Sequence, residues 1–364
     1  MGTIKQNFAN NVETGGTFDA QDLTGTIPAA NIANSSLSDI TTVPPTASGG
    51  DLIQSVASDP PAPDFGDIWY NSTEQKIKLK TQGAGSWATG GNLNTARFAL
   101  GVAGTQTSSL AFGGGPGQTA VTESYNGSSW TEVNDLNTAR QTPGSCGADN
   151  TSALSVAGAN VGGSNNLANV ESWNGTSWTE ITDINSARRI SAATGTQTAA
   201  LYFAGYTTSN VGFTESWNGS SWTEVGDMNT ARIGLAGAGT NTSTLGFGGN
   251  VGPRTAVTES WNGTSWTEVN DLNTARQSIG GAGTNNTSVL GFAGDAPPYS
   301  VVTEEWDGTS WTEVADLSTA RGQTIGTGTK TSALVTGGEN SGTPVIAATE
   351  EWTVATPNQS IQGS

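Results

Sequence analysis

The sequence has no histidine and only one cysteine, Cys146, among its 364 residues. A Ser-His-Asp or Cys-His arrangement needs an imidazole as its base, so neither can be built here. A single cysteine cannot form an internal disulfide. The fold must therefore be held by packing and hydrogen bonds, as in proteins of a reducing compartment. We predict that Cys146 is a small, buried side chain.

Positive charge is also scarce, because 13 Lys and Arg residues stand against 31 Asp and Glu residues, a net charge of −18. This surplus would repel phosphate groups, which argues against DNA, RNA or an anionic membrane surface as a partner. No apolar run approaches the roughly 20 residues needed to cross a bilayer. The first residues, "MGTIKQNFANNVETGG", lack the apolar segment of a secretory signal. We therefore predict no nucleic-acid partner, no membrane insertion and no signal-directed export.

Amphipathic helical periodicity is missing, whereas glycine is abundant, with 50 residues. What recurs is the motif "NTAR" or a close variant. The arginines that end it are Arg97, Arg140, Arg188, Arg232, Arg276 and Arg321. Their successive spacings are 43, 48, 44, 44 and 45 residues. A period near 45 residues that contains several short strands is typical of β-propeller blades, so the sequence predicts an all-β fold.

Each repeat is predicted to contain four strands. After Arg232, "IGLAGAGT" and "STLGFGG" form a first hairpin, and "AVTESW" and "SWTEV" form a second one. The dipeptide Asn262-Gly263 predicts a two-residue type I′ turn, which would place Trp261 opposite Thr264. Trp261 and Trp266 then fall on one face of the sheet, and small residues fall on the other. We expect neighbouring blades to pack large face against small face, with the indole rings supplying most of the buried area.

These repeats resemble the kelch family of β-propellers. A kelch unit has a glycine pair at the end of its second strand, then an aromatic residue, a tryptophan and an arginine. The glycine pair is Gly113-Gly114, Gly248-Gly249 and Gly337-Gly338, and it becomes Ala-Gly at Gly158, Gly205 and Gly294. The aromatic residues are Tyr125, Trp173, Trp217, Trp261 and Trp306, and the later tryptophans are Trp130, Trp178, Trp222, Trp266 and Trp311. The resemblance covers about residues 75 to 352 and implies a kelch-like propeller.

The repeat count predicts six four-stranded blades. Five complete repeats run from Arg97 to Arg321, and the segment after Arg321 supplies three further strands. Residues 76–97, with Trp87 in the place of the later tryptophan, supply the missing one. The last blade would thus be closed by both chain ends, which leaves no free sheet edge around the ring. Seven blades is the alternative, with "FGDIWYNST" in an extra sheet.

The N-terminal part has no propeller pattern. "LTGTIPAANI" resembles segments of the fibres and spikes of tailed phages, where chains commonly form trimers, and the repeat "ESWNGTSWTEVNDLNTAR" resembles kelch-type repeats in virion proteins of marine tailed phages, cyanophages especially. "TTVPPTASGG" and "SDPPAP" indicate stiff linkers. The predicted domains are an extended anchor with its linker at residues 1–64 and the propeller at residues 65–364.

The repeated arginines admit two interpretations. They could form a cationic ring for the carboxylate or sulfate groups of a glycan. Alternatively, each could pair with a carboxylate of its own repeat, such as Asp271 with Arg276, and tie the blade joint. We favour the second interpretation because an aspartate recurs with the arginines. These aspartates are Asp135, Asp183, Asp227, Asp271 and Asp316.

Catalysis is not predicted. A set of repeated glutamates could supply paired carboxylates for glycoside hydrolysis, but five equivalent copies suggest architecture. These are Glu123, Glu215, Glu259, Glu304 and Glu350. The copper or zinc sites of kelch-fold oxidases have no ligands here. Calcium bound by loop carboxylates stays open. We predict no cofactor and no metal site.

Recognition should lie where the repeats differ, in the links between the second and third strands. These links are expected to cluster on one face of the ring, beside the arginine turns. Tyr206, Arg254 and Tyr299 are the candidate binding residues there, because they combine flat apolar area with hydrogen-bonding groups. The alternative is that these links vary because nothing binds them.

Together these features predict a non-enzymatic phage virion protein, a tail fibre, spike or head decoration, found in the virion after assembly in the host cytoplasm. Residues 1–64 would bind other virion proteins, within an expected homotrimer, and the propeller would bind a host-surface glycan or protein. One alternative is an assembly adaptor that docks other virion proteins. Another is a polysaccharide-degrading enzyme.

Overall fold

The computed structural model of the chain describes residues 54–61, 67–81, 83–160, 165–297, 299–342, 345–356 and 358–361. Within these ranges every regular element is a β-strand, and the strands are numbered β1 to β30 in chain order. They belong to two compact units, one within residues 85–353 and one formed by the described strands that precede residue 85 and follow residue 353 in the sequence. The predicted anchor lies mostly outside the described residues.

Residues 85–353 fold into six four-stranded antiparallel sheets, the blades. Blade 1 contains β5 (Gly101–Gly104), β6 (Ser109–Phe112), β7 (Thr122–Tyr125) and β8 (Trp130–Val133). Blade 2 contains β9 (Gly144–Asp149), β10 (Ser152–Val156), β13 (Val170–Trp173) and β14 (Trp178–Ile181), and its central link carries the short pair β11 (Ala159–Asn160) and β12 (Asn165–Asn166). Blade 3 contains β15 (Ala192–Thr196), β16 (Ala199–Phe203), β17 (Thr214–Trp217) and β18 (Trp222–Glu224).

Blade 4 contains β19 (Ala236–Thr240), β20 (Ser243–Phe247), β21 (Thr258–Trp261) and β22 (Trp266–Val269). Blade 5 contains β23 (Gly280–Asn285), β24 (Ser288–Phe292), β25 (Thr303–Trp306) and β26 (Trp311–Glu313). Blade 6 contains β27 (Ile325–Thr329), β28 (Ser332–Thr336), β29 (Thr349–Val354) and, as its fourth strand, β4 (Gly85–Thr89).

The six blades close into a ring, as predicted. The first strand of each blade lies beside the first strand of the next, and β27 of blade 6 lies beside β5 of blade 1. Thr327 Oγ1 donates a hydrogen bond to Gly104 O across that closing joint, at 2.5 Å. Because β4 comes from the start of the ring sequence and β29 from its end, the last blade joins both chain ends. The all-β fold of repeated four-stranded blades is therefore confirmed, with six blades.

The innermost strand of each blade is built from small residues. A larger side chain there would collide with an aromatic residue of a neighbouring strand. A Cβ atom placed on Gly280 would lie 2.3 Å from Cε2 of Phe292 on the adjacent strand. In this blade the ring of Phe292 takes the space that a side chain on the inner strand would need. The glycine-rich first strand of each repeat thus allows six strands to approach a common axis.

The outer hairpin of each blade differs from the predicted two-residue turn. In blade 4 Trp261 pairs directly with Trp266, and residues 262–265 form a four-residue loop. The same register recurs in the other complete repeats. Directly opposed residues share one face of a sheet, so both tryptophans still lie on the same face.

The type I′ prediction is wrong because an asparagine side chain closes the loop. Asn262 Oδ1 accepts hydrogen bonds from the N–H groups of Thr264 and Ser265, each at 2.9 Å. Gly263 alone in this loop has a left-handed backbone, with φ of 93°. An asparagine that satisfies two backbone donors makes a second left-handed residue unnecessary.

Tryptophans from one blade pack against the preceding blade. Trp306 and Trp311 of blade 5 share a buried cluster with Leu245 and Phe247 of blade 4. Trp311 Nε1 also donates a hydrogen bond to Thr258 Oγ1 of blade 4, at 3.3 Å. The core is therefore a series of apolar layers between adjacent blades.

The second unit is a separate small sheet in the order β1 (Gln54–Val56), β2 (Ile68–Asn71), β3 (Lys76–Lys80) and β30 (Asn358–Ile361). Asp59 accepts hydrogen bonds from Asn71 Nδ2 at 2.8 Å and from Lys78 Nζ at 2.9 Å. Within "FGDIWYNST", Ile68–Asn71 form β2 of this unit, where β2 pairs in parallel with β1, so these residues do not form a seventh antiparallel blade. The blades begin at Gly85 instead of residue 65, since β2 and β3 pair with a strand that follows the last blade.

Candidate binding face

Each repeated arginine is buried in an ion pair at the joint between blades. Arg276 Nη2 lies 2.8 Å from Glu304 Oε1, and Nη1 donates hydrogen bonds to the carbonyl oxygens of Ala293 and Val302. Burial lowers the pKa of Arg276, and the negative charge of Glu304 opposes that shift. All six arginines are 0% exposed. Their pairs are Arg97–Glu123, Arg140–Glu171, Arg188–Glu215, Arg232–Glu259, Arg276–Glu304 and Arg321–Glu350.

The asparagine of the same motif completes the site around the glutamate. The N–H of Asn273 donates to Glu304 Oε2 at 2.7 Å, and its Nδ2 donates to the same oxygen at 2.8 Å. The segment that leaves one blade is therefore clamped onto the third strand of the next. The glutamates considered as paired catalytic carboxylates are the acceptors in these clamps.

The predicted partner of Arg276 is wrong. Asp271 does not pair with it and instead accepts a hydrogen bond from the N–H of Thr258 at 3.0 Å. The aspartate caps the entry to the third strand of its own blade, whereas the arginine reaches forward into the following blade. Proximity in sequence was misleading because the motif spans a joint between two sheets.

The later tryptophans lie in the same joints and are nearly buried. Their exposed fractions are 4% to 6% for Trp130, Trp178, Trp222, Trp266 and Trp311. The rings of Trp261 and Trp266 have centroids 5.4 Å apart. These aromatic side chains are therefore packed into the layers between blades.

The links between the second and third strands lie beside the residues that follow each arginine. Backbone bridges join the two sets in every blade, at Phe98–Gly115, Gln141–Ala159, Arg189–Tyr206, Ile233–Asn250, Gln277–Asp295 and Gly322–Glu339. We call the surface formed by these links and bridges the loop face. Because the strands of a blade are antiparallel, the hairpin loops with the sequence Asn-Gly lie at the opposite strand ends.

At the axis the loop face surrounds a cavity of about 290 Å³. Its polar lining includes Gln277, Ser278, Gln323 and Thr324, and its apolar lining includes Ile190. None of the described lining residues carries a charged side chain. Amides and hydroxyls beside aliphatic groups can bind a neutral, hydroxyl-rich ligand by hydrogen bonds and apolar contact.

A ring of unusual backbone conformations borders this cavity. The second residue after each arginine has a left-handed φ, between 47° and 61°, at Ala99, Thr142, Ile190, Gly234, Ser278 and Gln323. This conformation is unfavourable for a β-branched residue such as Thr142 or Ile190. Backbone hydrogen bonds between blades offset part of the strain, as from Thr142 N to Ala99 O at 2.7 Å. Thr142 Oγ1 is buried and has no hydrogen-bond partner within the described part of the chain.

The three candidate residues predicted from the sequence lie on the rim of the loop face, outside the cavity lining. The Arg189 guanidinium carbon lies 4.7 Å from the ring centroid of Tyr206. Arg254 Nη2 lies 2.9 Å from Asp295 Oδ1 of the next blade. Tyr299 donates a hydrogen bond from its hydroxyl to Glu339 Oε1 of the next blade, at 2.7 Å. The rim residues thus contact neighbouring links as well as solvent.

The cavity residues Gln277, Ser278 and Gln323 were not predicted from the sequence. The available signal was the pair of positions after each arginine, which differs in every repeat although the preceding motif is nearly constant. These pairs are Phe98-Ala99, Gln141-Thr142, Arg189-Ile190, Ile233-Gly234, Gln277-Ser278 and Gly322-Gln323. The two positions that vary directly after the constant motif are therefore the sequence signal for the residues at the axial cavity.

Alkaline pH is expected to destabilise the ring. Burial raises the pKa of the Cys146 thiol to about 12, and burial together with the hydrogen bond to Glu351 raises the pKa of Tyr125 to about 12. Each group keeps its proton in the folded protein at a pH where the unfolded chain loses it. The contribution of these groups to the free energy of unfolding is therefore fully present below about pH 9, and it is lost as the pH rises towards about 12. Urea midpoints measured across this range should decline, and Cys146→Ala and Tyr125→Phe should each flatten the decline. A constant wild-type midpoint would contradict the prediction.

The described residues include no helix that is long and apolar enough to cross a membrane. No group of three or more His, Cys, Asp or Glu side chains in that part of the chain is arranged to hold a metal ion.

Comparison with known proteins supports the architecture. No family model matches the sequence, and no curated protein matches it. A similar solved structure is described as "Structure of YjhT", with a TM-score of 0.59 and 13% sequence identity, covering 74% of this chain and 99% of that chain. At this identity the similarity concerns the fold alone, and it agrees with a propeller of repeated four-stranded blades.

Proposed function

We propose that this protein is a non-enzymatic virion component of a tailed phage, a tail fibre, spike or head decoration, that recognises a host-surface glycan through the loop face. The single observation that carries the binding role is an uncharged cavity at the axis, ringed by the positions where the repeats differ. The virion assignment is carried by the resemblance of the repeats and of "LTGTIPAANI" to phage structural proteins. Residues 1–64 would attach the chain, as a homotrimer, to other virion proteins.

The chemistry of the cavity favours a neutral ligand over an anionic one. The arginines that could have formed a cationic ring are buried and paired with glutamates. The groups that line the axis are amides, hydroxyls and aliphatic side chains, and the amides of Gln277 and Gln323 are held by hydrogen bonds to the rim carboxylates of Asp295 and Glu339.

Binding to a glycan array tests this proposal. The purified full chain should bind neutral glycans, and the double variant Gln277→Ala, Gln323→Ala should weaken that binding by about tenfold or more. Each lost hydrogen bond is expected to cost about 0.5 to 1.5 kcal/mol. Thr264→Ala, an exposed substitution on an Asn-Gly hairpin loop, is the matched control and should leave affinity unchanged. Thermal unfolding of each variant verifies that the ring is intact.

The remaining outcomes separate the alternatives. Release of reducing sugar from a bound polysaccharide would replace the binding role with the enzyme hypothesis. Absence of glycan binding, together with a location between other proteins in the intact particle, would favour the assembly adaptor. Gold labelling and mass spectrometry of purified particles give that location, and absence of the chain from any particle would refute the virion assignment.

A further inference from the structure

The Asn-Gly loops carry a chemical feature that the binding role does not use. There are four such loops, and each places an exposed asparagine before a glycine, at Asn126-Gly127, Asn174-Gly175, Asn218-Gly219 and Asn262-Gly263. The glycines have φ between 89° and 93°. A glycine after asparagine offers no side chain to shield its backbone nitrogen.

The hydrogen bonds of the loop act on the asparagine carboxamide. Asn262 Oδ1 accepts the N–H groups of Thr264 and Ser265 at 2.9 Å, and the other three loops have the same pair of bonds at 2.9 to 3.0 Å. Two donors on Oδ1 withdraw electron density from Cγ and stabilise negative charge that develops on the oxygen. The Gly263 N–H donates no hydrogen bond to any residue that the structure describes. The electrophile is therefore activated while the adjacent nitrogen is free.

The fifth repeat shows that the product fits. Asp307 occupies the asparagine position, and its Oδ1 accepts the N–H groups of Thr309 and Ser310, each at 2.8 Å. These bonds lower the pKa of Asp307. A carboxylate is therefore stabilised by the same two donors that hold the amide in the other loops.

We infer that the four Asn-Gly loops are deamidation sites of the folded protein, and that aspartate is the product the fold accommodates. The Gly263 nitrogen loses its proton and attacks Asn262 Cγ, the Cγ–Nδ2 bond breaks, and ammonia leaves. Water then opens the cyclic imide. Opening at Cγ gives aspartate, whereas opening at the backbone carbonyl gives isoaspartate, which adds a methylene group to the backbone of the loop.

The consequence is a change of surface charge on one side of the ring. Each conversion replaces a neutral amide with a carboxylate, so complete reaction adds four negative charges to the net charge of −18. All four lie on loops at the ends of the blades opposite the loop face. The inference does not depend on the glycan-binding proposal, because the two involve different loops.

Incubation of the full chain in mildly alkaline, oxygen-18-enriched water tests the inference. Peptide mass spectrometry after digestion in acid should show the label and loss of ammonia at the four asparagines. Asn270, an exposed asparagine followed by Asp271, is the internal control and should remain unmodified. The rate in the native protein should equal or exceed the rate in a urea-denatured sample. A native rate more than about tenfold slower, or about 1.4 kcal/mol of additional barrier, would show that the loops protect asparagine and would overturn the inference.

A second measurement tests whether aspartate is accommodated. The quadruple variant Asn126→Asp, Asn174→Asp, Asn218→Asp, Asn262→Asp should fold and retain the wild-type melting temperature within a few degrees, since every carboxylate keeps two backbone donors. Fragmentation that distinguishes the isomers should find aspartate in excess in the native sample. Predominance of isoaspartate there, or failure of the quadruple variant to fold, would refute this part of the inference.

Discussion

Glu304→Ala is expected to lower the free energy of unfolding by about 3 to 5 kcal/mol, because it leaves the charge of Arg276 buried without its partner. The substitution also removes the acceptor for the N–H and Nδ2 of Asn273. Urea denaturation followed by tryptophan fluorescence measures the loss. Glu304→Gln keeps the shape of the side chain and part of its hydrogen bonding. Its free energy of unfolding should therefore fall less than that of Glu304→Ala, but it should remain clearly below the wild-type value.

The matched control is an ion pair on the loop face. Arg254 Nη2 lies 2.9 Å from Asp295 Oδ1, close to the 2.8 Å between Arg276 and Glu304, but the side chains of Arg254 and Asp295 are 33% and 25% exposed. Partial exposure lets water screen the charges, so Arg254→Ala should cost no more than about 1 kcal/mol. If Glu304→Ala cost no more than Arg254→Ala, the buried clamps would not be what joins the blades.

Trp261→Ala, tested as a separate single variant, is expected to lower the free energy of unfolding by about 3 to 5 kcal/mol. Trp261 is 1% exposed, and its indole N–H donates to Asn241 O at 3.0 Å. The truncation would leave a cavity between blades 3 and 4, beside Phe203 and Trp266. Differential scanning calorimetry and urea denaturation measure the effect.

Two further substitutions are the controls for Trp261→Ala. Val251→Ala removes an apolar side chain that is 41% exposed, and it should change stability by no more than about 0.5 kcal/mol. Trp261→Phe keeps most of the apolar volume and should lose less than Trp261→Ala. An alanine variant as stable as wild type would mean that the indole layers do not hold the blades together.

These expected results separate the two surfaces of the repeat. The constant residues, the arginine, glutamate and tryptophans, lie in the joints, where a substitution should affect stability. The variable positions lie around the axial cavity and the rim, where the proposed effect is on binding. The loss of affinity predicted for the Gln277 and Gln323 variants should come with only a small loss of stability, because the hydrogen bonds that these side chains donate to Asp295 and Glu339 are only partly buried.

Much of the fold was predictable from local patterns. The spacing of Arg97 to Arg321 predicted the blades, and Trp87 before Arg97 predicted that the last blade would contain a strand from the start of the repeats. Alternation along each strand placed Trp261 and Trp266 on one face even though the turn between them was wrong. Period and alternation tolerate such an error because they depend on many residues at once.

The two incorrect predictions concern side chains for which the sequence offers more than one hydrogen-bond or ion-pair partner. Asn262 could support a type I′ turn or accept two backbone donors, and the second arrangement satisfies more polar groups. Arg276 could pair with Asp271 or with Glu304, and the partner is the residue that the next blade brings to the joint. Sequence distance does not measure which carboxylate a folded joint presents.

By itself, the sequence determined that this protein is an all-β ring of six repeated blades closed by both ends of the repeat region, because strand period and hairpin signals are local properties repeated many times. Only the tertiary structure decided which carboxylate neutralises each arginine and that Gln277, Ser278 and Gln323 meet at one axial cavity. Those residues are more than 40 positions from the equivalent residues of the next blade in the sequence, and they become neighbours only when the ring closes around a common axis.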